Sequence, residues 1–451
     1  MYLRSINNVH NELKETELYK GKRPSIKPLF IDRCNYLLNS IIHINKMKYW
    51  EDLSKFEPIP LNSTQLQLIL GRDYLSIVNT LQELDIIKIN HSYLTTATLK
   101  ATNINRKLKG LKNIKAEVTN KTYSLTPKAL EKGIIKVGVL SPRMEGKINE
   151  YRKKKFKEYL NEPMHEKIIN STFQVEFNYT NKEANEALNK YDINTDKGQY
   201  FTETYSELQE INTYSNTSQY IEDSNFYYTQ SKKVNRVYHY YTTIPKAYRQ
   251  ALRHKDGSQL AEIDLSNSQP LIMGLNYLNS KTTLTRSDKE LRKDLLNANF
   301  YKRIAEHAKE KGDLEFYNLY ENSYGELKRL ILGEGLYFNY IPDFNKIKKA
   351  ERYLLQCYPD FIHYLRNKKR LNGYKSVSQQ AQQIEAKIFI TGIFKDLKEN
   401  DFALPVHDAL VVRKDEVKSY LKTLAENLTT QFSTLTNAKE LFKIKTYDNQ
   451  Y

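Results

Sequence analysis

Two apolar segments that lie far apart in the chain each lead to an aspartate. The segment LAEIDL, residues 260–265, has the pattern of a buried strand and carries Asp264 near its end. The segment FALPVHDALVV, residues 402–412, predicts two strands joined by a tight turn that holds Asp408. If these strands are neighbours in one sheet, the two carboxylates lie within a few ångströms of each other. This requirement constrains the fold more than any other feature of the sequence.

Two aspartates placed in this way repel each other, and a bound divalent cation relieves the repulsion. Mg²⁺ prefers a few carboxylates together with the phosphate oxygens of a substrate. Two such ions, about 3.5–4 Å apart, activate an attacking hydroxyl and stabilise a departing pyrophosphate. We therefore predict that Asp264 and Asp408 are catalytic and hold two Mg²⁺ ions, with Mn²⁺ as an alternative. For either aspartate alone, a turn residue at the end of a strand is the simpler interpretation.

The charge balance favours a polyanionic partner. The chain has 70 Lys and Arg against 53 Asp and Glu, which gives a net charge of +17. A field of this sign attracts nucleic acid. A basic protein without such a partner, or one that binds acidic membrane surfaces, is the alternative interpretation.

The cysteines and the apolar runs exclude other classes of protein. Cys34 and Cys357 form no CxxC pair, so the sequence predicts neither a zinc site nor a disulfide framework. No uninterrupted apolar run approaches the roughly 20 residues of a membrane helix. The first residues lack the apolar core of a secretory signal. We expect a cytoplasmic protein with no membrane partner.

The first part of the chain predicts a small helical domain. A capped apolar helix pattern leads to the turn Gly71–Arg72–Asp73, with Asp73 as the expected cap of a second, amphipathic helix. Two strand-like segments follow, at 86–89 and 122–125, around a basic excursion. Helix, turn, helix and a two-stranded wing are typical of a winged-helix domain that binds nucleic acid. A helical packing domain without nucleic-acid contact is the alternative.

The last 220 residues or so carry five features in the order typical of one enzyme family. They are Arg236 with the following Ile244–Pro245, Arg249 and Arg253; Asp264 with Ser266 and Gln269; Tyr358–Pro359 after a long helix; a helix from Gln379 to Phe394 in which Gln382 is the expected glutamine; and His407–Asp408, with Ala409 where Glu is usual. Over roughly residues 231–415 this order resembles the family A DNA polymerases.

The resemblance implies an α+β fold with a right-hand arrangement of palm, fingers and thumb and an antiparallel palm sheet. It places the two metal ions on Asp264 and Asp408 and His407 near the primer terminus. The residues that it implies for binding the DNA template–primer are His407, Arg236, Arg249, Arg253 and Gln382. The implied activity is template-directed addition of dNTPs to a primer 3′ end, a nucleotidyltransferase reaction in DNA replication.

The nucleotide-binding helix departs from the family pattern. Arg329 and Tyr337 keep the family's spacing of eight residues, but Gly325 stands at the first position and no Gly follows the Tyr. We predict that Lys328 and Arg329 bind the triphosphate and that Tyr337 stacks on the incoming base. A surface helix with ordinary charges is the alternative.

The residue that discriminates between sugars is ambiguous, because either Gln269 or Leu271 can occupy the place where the family has Glu. The Asp-x-Ser-x-Ser pattern from Asp264 and the segment Arg236–Val–Tyr238 also resemble single-subunit RNA polymerases. An RNA-synthesising polymerase or primase-like enzyme is the main alternative. A non-catalytic replication initiator and a two-metal nuclease are the others. The spacing of 28 residues from Arg236 to Asp264 favours DNA synthesis.

These observations predict four segments along the chain. They are an N-terminal helical segment (1–45), a winged-helix-like nucleic-acid-binding domain (46–135), a basic helix with a connector or thumb-like region (136–230), and a polymerase palm with reduced fingers (231–451). A compact polymerase joined to a DNA-binding module suits the replication of a phage or a mobile element.

Overall fold

Helices and small antiparallel sheets make up the computed structural model of the protein, which confirms the α+β class. The right-hand polymerase arrangement stays a prediction. The structure describes residues 2–49, 56–61, 63–90, 121–178, 180–190, 198, 201–202, 204–206, 208–209, 228–337, 346–398, 401–433, 435 and 437–447.

The strands and helices are numbered in chain order. The strands are β1 (Tyr2–Ile6), β2 (Ile59–Pro60), β3 (Ile87–Asn90), β4 (Thr122–Leu125), β5 (Ile134–Gly138), β6 (Val175–Phe177), β7 (Tyr228–Gln230), β8 (Val237–His239), β9 (Leu252–His254), β10 (Leu260–Leu265), β11 (Leu404–Val406), β12 (Ala409–Arg413) and β13 (Phe442–Thr446). The helices that precede β10 are α1 (Val9–Glu15), α2 (Glu17–Lys20), α3 (Lys27–Tyr49), α4 (Ser63–Leu70), α5 (Tyr74–Glu83), α6 (Pro127–Glu131), α7 (Pro142–Leu160), α8 (Pro163–Phe173), α9 (Lys182–Asn189), α10 (Tyr240–Thr243) and α11 (Lys246–Gln250).

The remaining helices follow β10. They are α12 (Ser268–Leu278), α13 (Arg286–Leu296), α14 (Phe300–Glu310), α15 (Leu314–Asn322), α16 (Tyr324–Leu330), α17 (Lys349–Cys357), α18 (Pro359–Asn372), α19 (Ser376–Ala386), α20 (Gly392–Phe394) and α21 (Val417–Gln431). Two segments are wider π-helices, Ile331–Leu336 after α16 and Lys387–Thr391 after α19. None of the helices in the described ranges is long and apolar enough to cross a membrane.

The chain forms two compact units. The first comprises Met1–Glu158, Ala187–Glu207 and Ser218–Ser224, and the second comprises Tyr159–Glu186, Leu208–Thr217 and Asn225–Tyr451. The predicted division into four segments is not tested by these two units and stays a prediction.

One hydrophobic core runs through the first unit, from Ile6 on β1 to Ile148 on α7. The long helix α3 contributes a buried stripe to this core, including Cys34, Leu38 and Ile42. The strands β1 and β5 pair in an antiparallel ladder. The core therefore joins residues before 46 and after 135 to the segment for which the sequence predicts a winged helix.

Within that segment, the predicted helices are present as α4 and α5, and β2, β4 and β3 form an antiparallel sheet. Asp73 occupies the predicted N-cap position of α5, but its side chain makes no capping hydrogen bond and accepts from Arg33 Nη1 at 2.6 Å instead. A 3₁₀ turn at Gly71–Asp73 runs directly into α5 and already uses the first amide of that helix. The basic excursion at 91–120 lies outside the described residues. The winged-helix interpretation stays a prediction.

The second unit is organised around a four-stranded antiparallel sheet in the order β11–β12–β10–β13. The central strand β10 is flanked by β12 and β13, so that Asp264 lies opposite both Ala409 and Lys443. Strand β6 pairs with β9. The region for which the sequence predicts a loop-rich connector thus contains regular elements, because β6 and α9 both fall within it.

The carboxylate of Asp32 ties α3 to the start of α7 in the first unit. Its side chain is fully buried and accepts hydrogen bonds from the amides of Leu140, at 3.0 Å, and Ser141, at 2.6 Å. Burial raises the pKa of Asp32, and the hydrogen bonds from the two amides oppose that rise. The group therefore serves as the acceptor for two amides that precede the helix.

Replacing Asp32 by Ala leaves the amide of Leu140 and the buried amide of Ser141 without their acceptor. We expect Asp32→Ala to lower the free energy of unfolding by about 1–3 kcal/mol, since an unsatisfied buried donor such as the amide of Ser141 costs about 1–3 kcal/mol. Urea unfolding of the full chain measures the change. The control is Glu83→Ala at the exposed end of α5, for which we expect a change within about 0.5 kcal/mol. Equal urea midpoints for the two variants would contradict the assigned role of Asp32.

Candidate active site

Asp264 lies on β10, and Asp408 lies in the turn that leads into the neighbouring strand β12, so the strands that carry them are adjacent as the sequence predicts. In the antiparallel ladder of β10 and β12, Asp264 is opposite Ala409, the residue that follows Asp408. The amide of Leu265 donates to the carbonyl of Asp408 at 3.1 Å, which extends the ladder to the turn. Asp408 thus occupies the tight connection between β11 and β12, beside the end of β10.

Two neutral histidines clamp this turn. His407 has a left-handed backbone with φ of 57°, and its Nε2 donates to the carbonyl of Thr242 at 3.0 Å. His239 Nε2 donates to the carbonyl of Pro405 at 2.7 Å. Burial, together with nearby arginine charge, lowers the pKa of each histidine to about 4. Both rings are therefore neutral near pH 7, and each holds one backbone carbonyl beside the hairpin.

The negative charge of Asp408 is unfavourable in its surroundings. Burial and the charges of Glu385 and Asp264 together raise the pKa of Asp408 to about 6, while the charge of Arg236 opposes them. The carboxylate repulsion that the sequence predicts for the two aspartates is therefore present. Such an unfavourable charge is common where function requires charge in a poorly solvated place.

Asp264 has a cationic partner on the edge strand β13. Its Oδ2 atom accepts from Lys445 Nζ at 2.7 Å, and the same ammonium lies 3.1 Å from Glu262. The hydroxyl of Tyr447 donates to Glu262 at 2.9 Å. Burial alone lowers the pKa of Lys445, but its hydrogen bond to Asp264 and the charges of both carboxylates bring it above its ordinary value.

Sequence reasoning missed this edge-strand group. The signal was available in the spacing, because Lys443 and Lys445 are two residues apart on β13, with Tyr447 just after it, as Glu262 and Asp264 are two residues apart on β10. Residues two apart on a strand share one face of the sheet. The sequence alone does not show that β13 pairs with β10, so it could not show that Lys445 lies opposite Glu262.

Glu385 on α19 gathers several of the predicted residues. It is 1% exposed and accepts from Arg236 Nη2, from Ser268 Oγ at 2.9 Å and from Gln269 Nε2 at 2.5 Å. The hydroxyl of Tyr337 donates to Gln269 Oε1 at 2.9 Å. Burial lowers the pKa of Arg236, but the adjacent Glu385 outweighs it and the pKa is raised. The buried carboxylate of Glu385 thus fixes Arg236 and Gln269, and Gln269 in turn binds the hydroxyl of Tyr337.

The structure separates the two candidates for the sugar-discriminating position. Leu271 is fully buried in α12, whereas Gln269 is bonded to Tyr337. Gln269 is therefore the residue beside the predicted nucleotide-stacking tyrosine. The predicted Gln382 is half-buried, one helical turn before Glu385, and it is Glu385 that binds Arg236 and Gln269.

Lys328 on α16 lies near enough to Asp264 and Asp408 for their charges to act on its ammonium group. Its ammonium lies 4.9 Å from the ring centre of Tyr324 and 5.5 Å from that of Tyr301. Burial lowers the pKa of Lys328, and the charges of Asp264 and Asp408 act against that change. A desolvated cation that packs against two aromatic rings, near two carboxylates, is suited to bind the phosphates of a substrate.

Arg329 points elsewhere, although the sequence predicts it as a triphosphate ligand beside Lys328. Its side chain is 78% exposed and lies 3.5 Å from Glu326 on its own helix. Consecutive helix residues diverge by about 100°, so both cations cannot face one site. Of this predicted pair, Lys328 is the one whose pKa responds to the charges of Asp264 and Asp408.

The two remaining predicted arginines have different surroundings. Arg249 is half-buried, and its charge contributes to the lowered pKa of His407. Its Nε atom is buried and bonds to no atom in the described part of the chain. Arg253 on β9 pairs with Glu176 on β6 at 2.5 Å. Arg249 therefore belongs to the surroundings of the hairpin, whereas Arg253 connects two strands.

The donor set fits a metal ion that brings substrate oxygens with it. Among the described residues, no three or more His, Cys, Asp or Glu side chains converge to hold a metal ion. Two carboxylates and several phosphate oxygens form a coordination set that Mg²⁺ accepts. The raised pKa of Asp408 shows that its negative charge is incompletely balanced, which is the condition that a divalent cation corrects.

Asp408→Asn removes this unbalanced charge. Without metal, we expect the variant to be more stable than the wild type by about 3 kcal/mol at pH 7, since one pKa unit corresponds to about 1.4 kcal/mol. The raised pKa means that the wild type loses stability as pH rises through about 6. The advantage of the variant therefore disappears below the ordinary aspartate pKa of about 4.

Urea unfolding as a function of pH, in the presence of a chelator, measures this difference. The control is Asp415→Asn, an exposed aspartate that follows β12, for which no pH-dependent gain is expected. A destabilised Asp408→Asn variant at pH 7 would show that the charge is balanced after all.

The sequence matches no protein-family model, and no curated protein is similar to it. The arrangement of the residues around Asp264 and Asp408 is therefore the basis on which function is inferred.

Proposed function

We propose that the protein is a template-directed DNA polymerase that adds dNTPs to a primer 3′ end by two-metal-ion phosphoryl transfer. The observation that carries the proposal is the pairing of β10 with β12, which brings Asp264 and Asp408 together within electrostatic range of the desolvated cation Lys328. This chemistry requires carboxylates on rigid strand ends and a cation for the triphosphate, and little else from the protein.

Each residue has a distinct role in the proposed reaction. Asp264 and Asp408 hold Mg²⁺, with Mn²⁺ as an alternative ion. Bound metal supplies activation of the primer hydroxyl and neutralisation of the departing pyrophosphate. Lys328 binds the triphosphate, and Tyr337 stacks on the incoming nucleotide. Gln269, oriented by Glu385, lies beside Tyr337 where the nucleotide sugar is to be recognised.

Synthesis of RNA is the second candidate, and Gln269 is the observation that favours it. A glutamine amide both donates and accepts hydrogen bonds, so that it can bind a ribose 2′ hydroxyl. A glutamate in this position has only acceptors when it is ionised. The same residue therefore decides between dNTPs and NTPs, and the choice is open to direct measurement.

Primer extension on a DNA template tests the proposal. We expect the wild type to incorporate dNTPs with Mg²⁺, and Asp264→Asn and Asp408→Asn each to lose about a thousandfold or more, since several kcal/mol of transition-state stabilisation depend on the metal. DNA affinity changes little, because Lys and Arg contacts to phosphates dominate it.

Parallel reactions with NTPs and without primer separate the candidates. Incorporation of NTPs alone supports the RNA-synthesising enzyme. Activity that survives both aspartate substitutions contradicts the assigned site. DNA binding without incorporation under any of these conditions favours a non-catalytic initiator.

Lys328→Ala and Arg329→Ala form a matched pair, because they remove one positive charge each from adjacent positions of α16. We expect Lys328→Ala to raise the KM for the nucleotide by roughly 10- to 100-fold, the loss of a charge-assisted contact worth about 1.5–3 kcal/mol. Arg329→Ala changes it by less than about threefold, as for an exposed ion pair. Steady-state kinetics at saturating primer–template measures both, and the reverse order contradicts the proposed position of the nucleotide.

A further inference from the structure

A second concentration of charge lies in the first unit, on residues that the proposed reaction does not use. The turn between α4 and α5 begins at Gly71, whose φ is +71°. A Cβ atom at this position would lie 3.0 Å from Arg33 Nη2 and 3.9 Å from Lys147 Nζ. The two cationic groups therefore lie within 4 Å of one point beside the turn. Glycine satisfies both the left-handed backbone and this close approach.

Further charges surround this point. Burial lowers the pKa of Lys147, and the charges of Arg33 and Arg143 lower it further, whereas Glu150 opposes them. Asp73 accepts from Arg33 Nη1 at 2.6 Å and lies 3.9 Å from Lys22. The cations of this cluster are Arg33, Arg143, Lys147 and Lys22, and the carboxylates that face them are Asp73 and Glu150. The cluster carries an excess of positive charge.

The unfavourable free energy of this excess positive charge falls mainly on Arg33. Its side chain is 9% exposed, and its buried Nε atom bonds to no atom among the residues that the structure describes. Burial, with the charge of Arg143, lowers the pKa of Arg33 against the opposing charge of Asp73. A buried guanidinium that shares one carboxylate with a neighbouring lysine is incompletely compensated. An anion beside Gly71 would complete the compensation.

We propose that a phosphate of a nucleic-acid backbone binds beside the Gly71 turn, between Arg33, Arg143 and Lys147. Phosphate suits this place because guanidinium and ammonium groups converge on it and its oxygens can accept from all of them. The proposal does not depend on the polymerase function, because it uses only residues of the first unit.

The shape of the charged surface favours a polymer over a single small anion. Arg143, Lys147 and Lys154 follow one another on α7 at intervals of four and seven residues, and such positions share one face of a helix. Lys154 is exposed and lies about 10 Å along the helix from Lys147. A row of cations along a helix follows successive phosphates of a nucleic-acid strand.

The test is the salt dependence of DNA binding by the full chain. The variant Arg143→Gln/Lys147→Gln removes two cations and leaves the buried pair of Arg33 and Asp73 in place. We expect its Kd for a short labelled DNA duplex to rise about tenfold or more near 0.1 M salt. The slope of log K against log salt should fall by about 0.9 for each lost phosphate contact.

The matched control is Lys14→Gln/Lys128→Gln, which removes the same charge from exposed positions on α1 and α6. We expect it to leave the slope nearly unchanged. Equal losses of slope in the two double variants would overturn the proposal, since they would show a diffuse effect of net charge. Both proteins are also tested on vesicles of phosphatidylcholine with phosphatidylserine. A loss of vesicle binding with unchanged DNA binding would overturn it too, in favour of a lipid headgroup.

The outcome is separable from that of primer extension. A reduced slope in the Arg143→Gln/Lys147→Gln variant supports the phosphate site even if the protein incorporates no nucleotide. Normal incorporation with an unchanged slope removes the phosphate site and leaves the polymerase proposal intact.

Discussion

The antiparallel pairing of β10 with β12 is the interaction on which the second unit depends. It places Asp264 and Asp408 side by side, although they are far apart in sequence. The two negative charges oppose folding, and the surrounding residues reduce that opposition. Lys445 binds Asp264, and Arg236 lies close enough to lower the pKa of Asp408. The pairing of β10 with β12 therefore sets the positions of the two carboxylates, while Lys445 on β13 and Arg236 offset the repulsion between them.

Glu385 connects this sheet to the helices around it. Because it binds Arg236, Ser268 and Gln269 together, it fixes the start of α12 against α19. Gln269 in turn positions Tyr337, which follows the π-helix. A buried carboxylate of this kind is costly unless it is fully bonded. Its cost is offset here by three donors, one of them charged.

The local pattern of the sequence was sufficient to predict the elements that carry the aspartates. Alternating and continuous apolar runs predicted β10, the β11–β12 hairpin, β4 and α5, because a buried face leaves a periodic trace in the sequence. Partners were not predictable in the same way. Glu385 and Lys445 have ordinary polar neighbours in sequence, and their importance comes from tertiary packing. Asp73 was predicted as a cap because its residue type suits one, but a preceding 3₁₀ turn left it free to bind Arg33.

The π-helix at Ile331–Leu336 lies between the predicted triphosphate-binding pair, Lys328 and Arg329, and Tyr337. A π-turn closes its hydrogen bonds over five residues rather than four, which amounts to inserting one residue into an α-helix. The position that shares a face with Tyr337 is thereby moved one residue toward the N-terminus, from Arg329 to Lys328. A sequence comparison that assumes constant spacing does not detect such an insertion, because the extra helical residue leaves no gap in the sequence. With one inserted residue, the nine residues from Lys328 to Tyr337 thus cover the same rotation as eight residues of a regular α-helix.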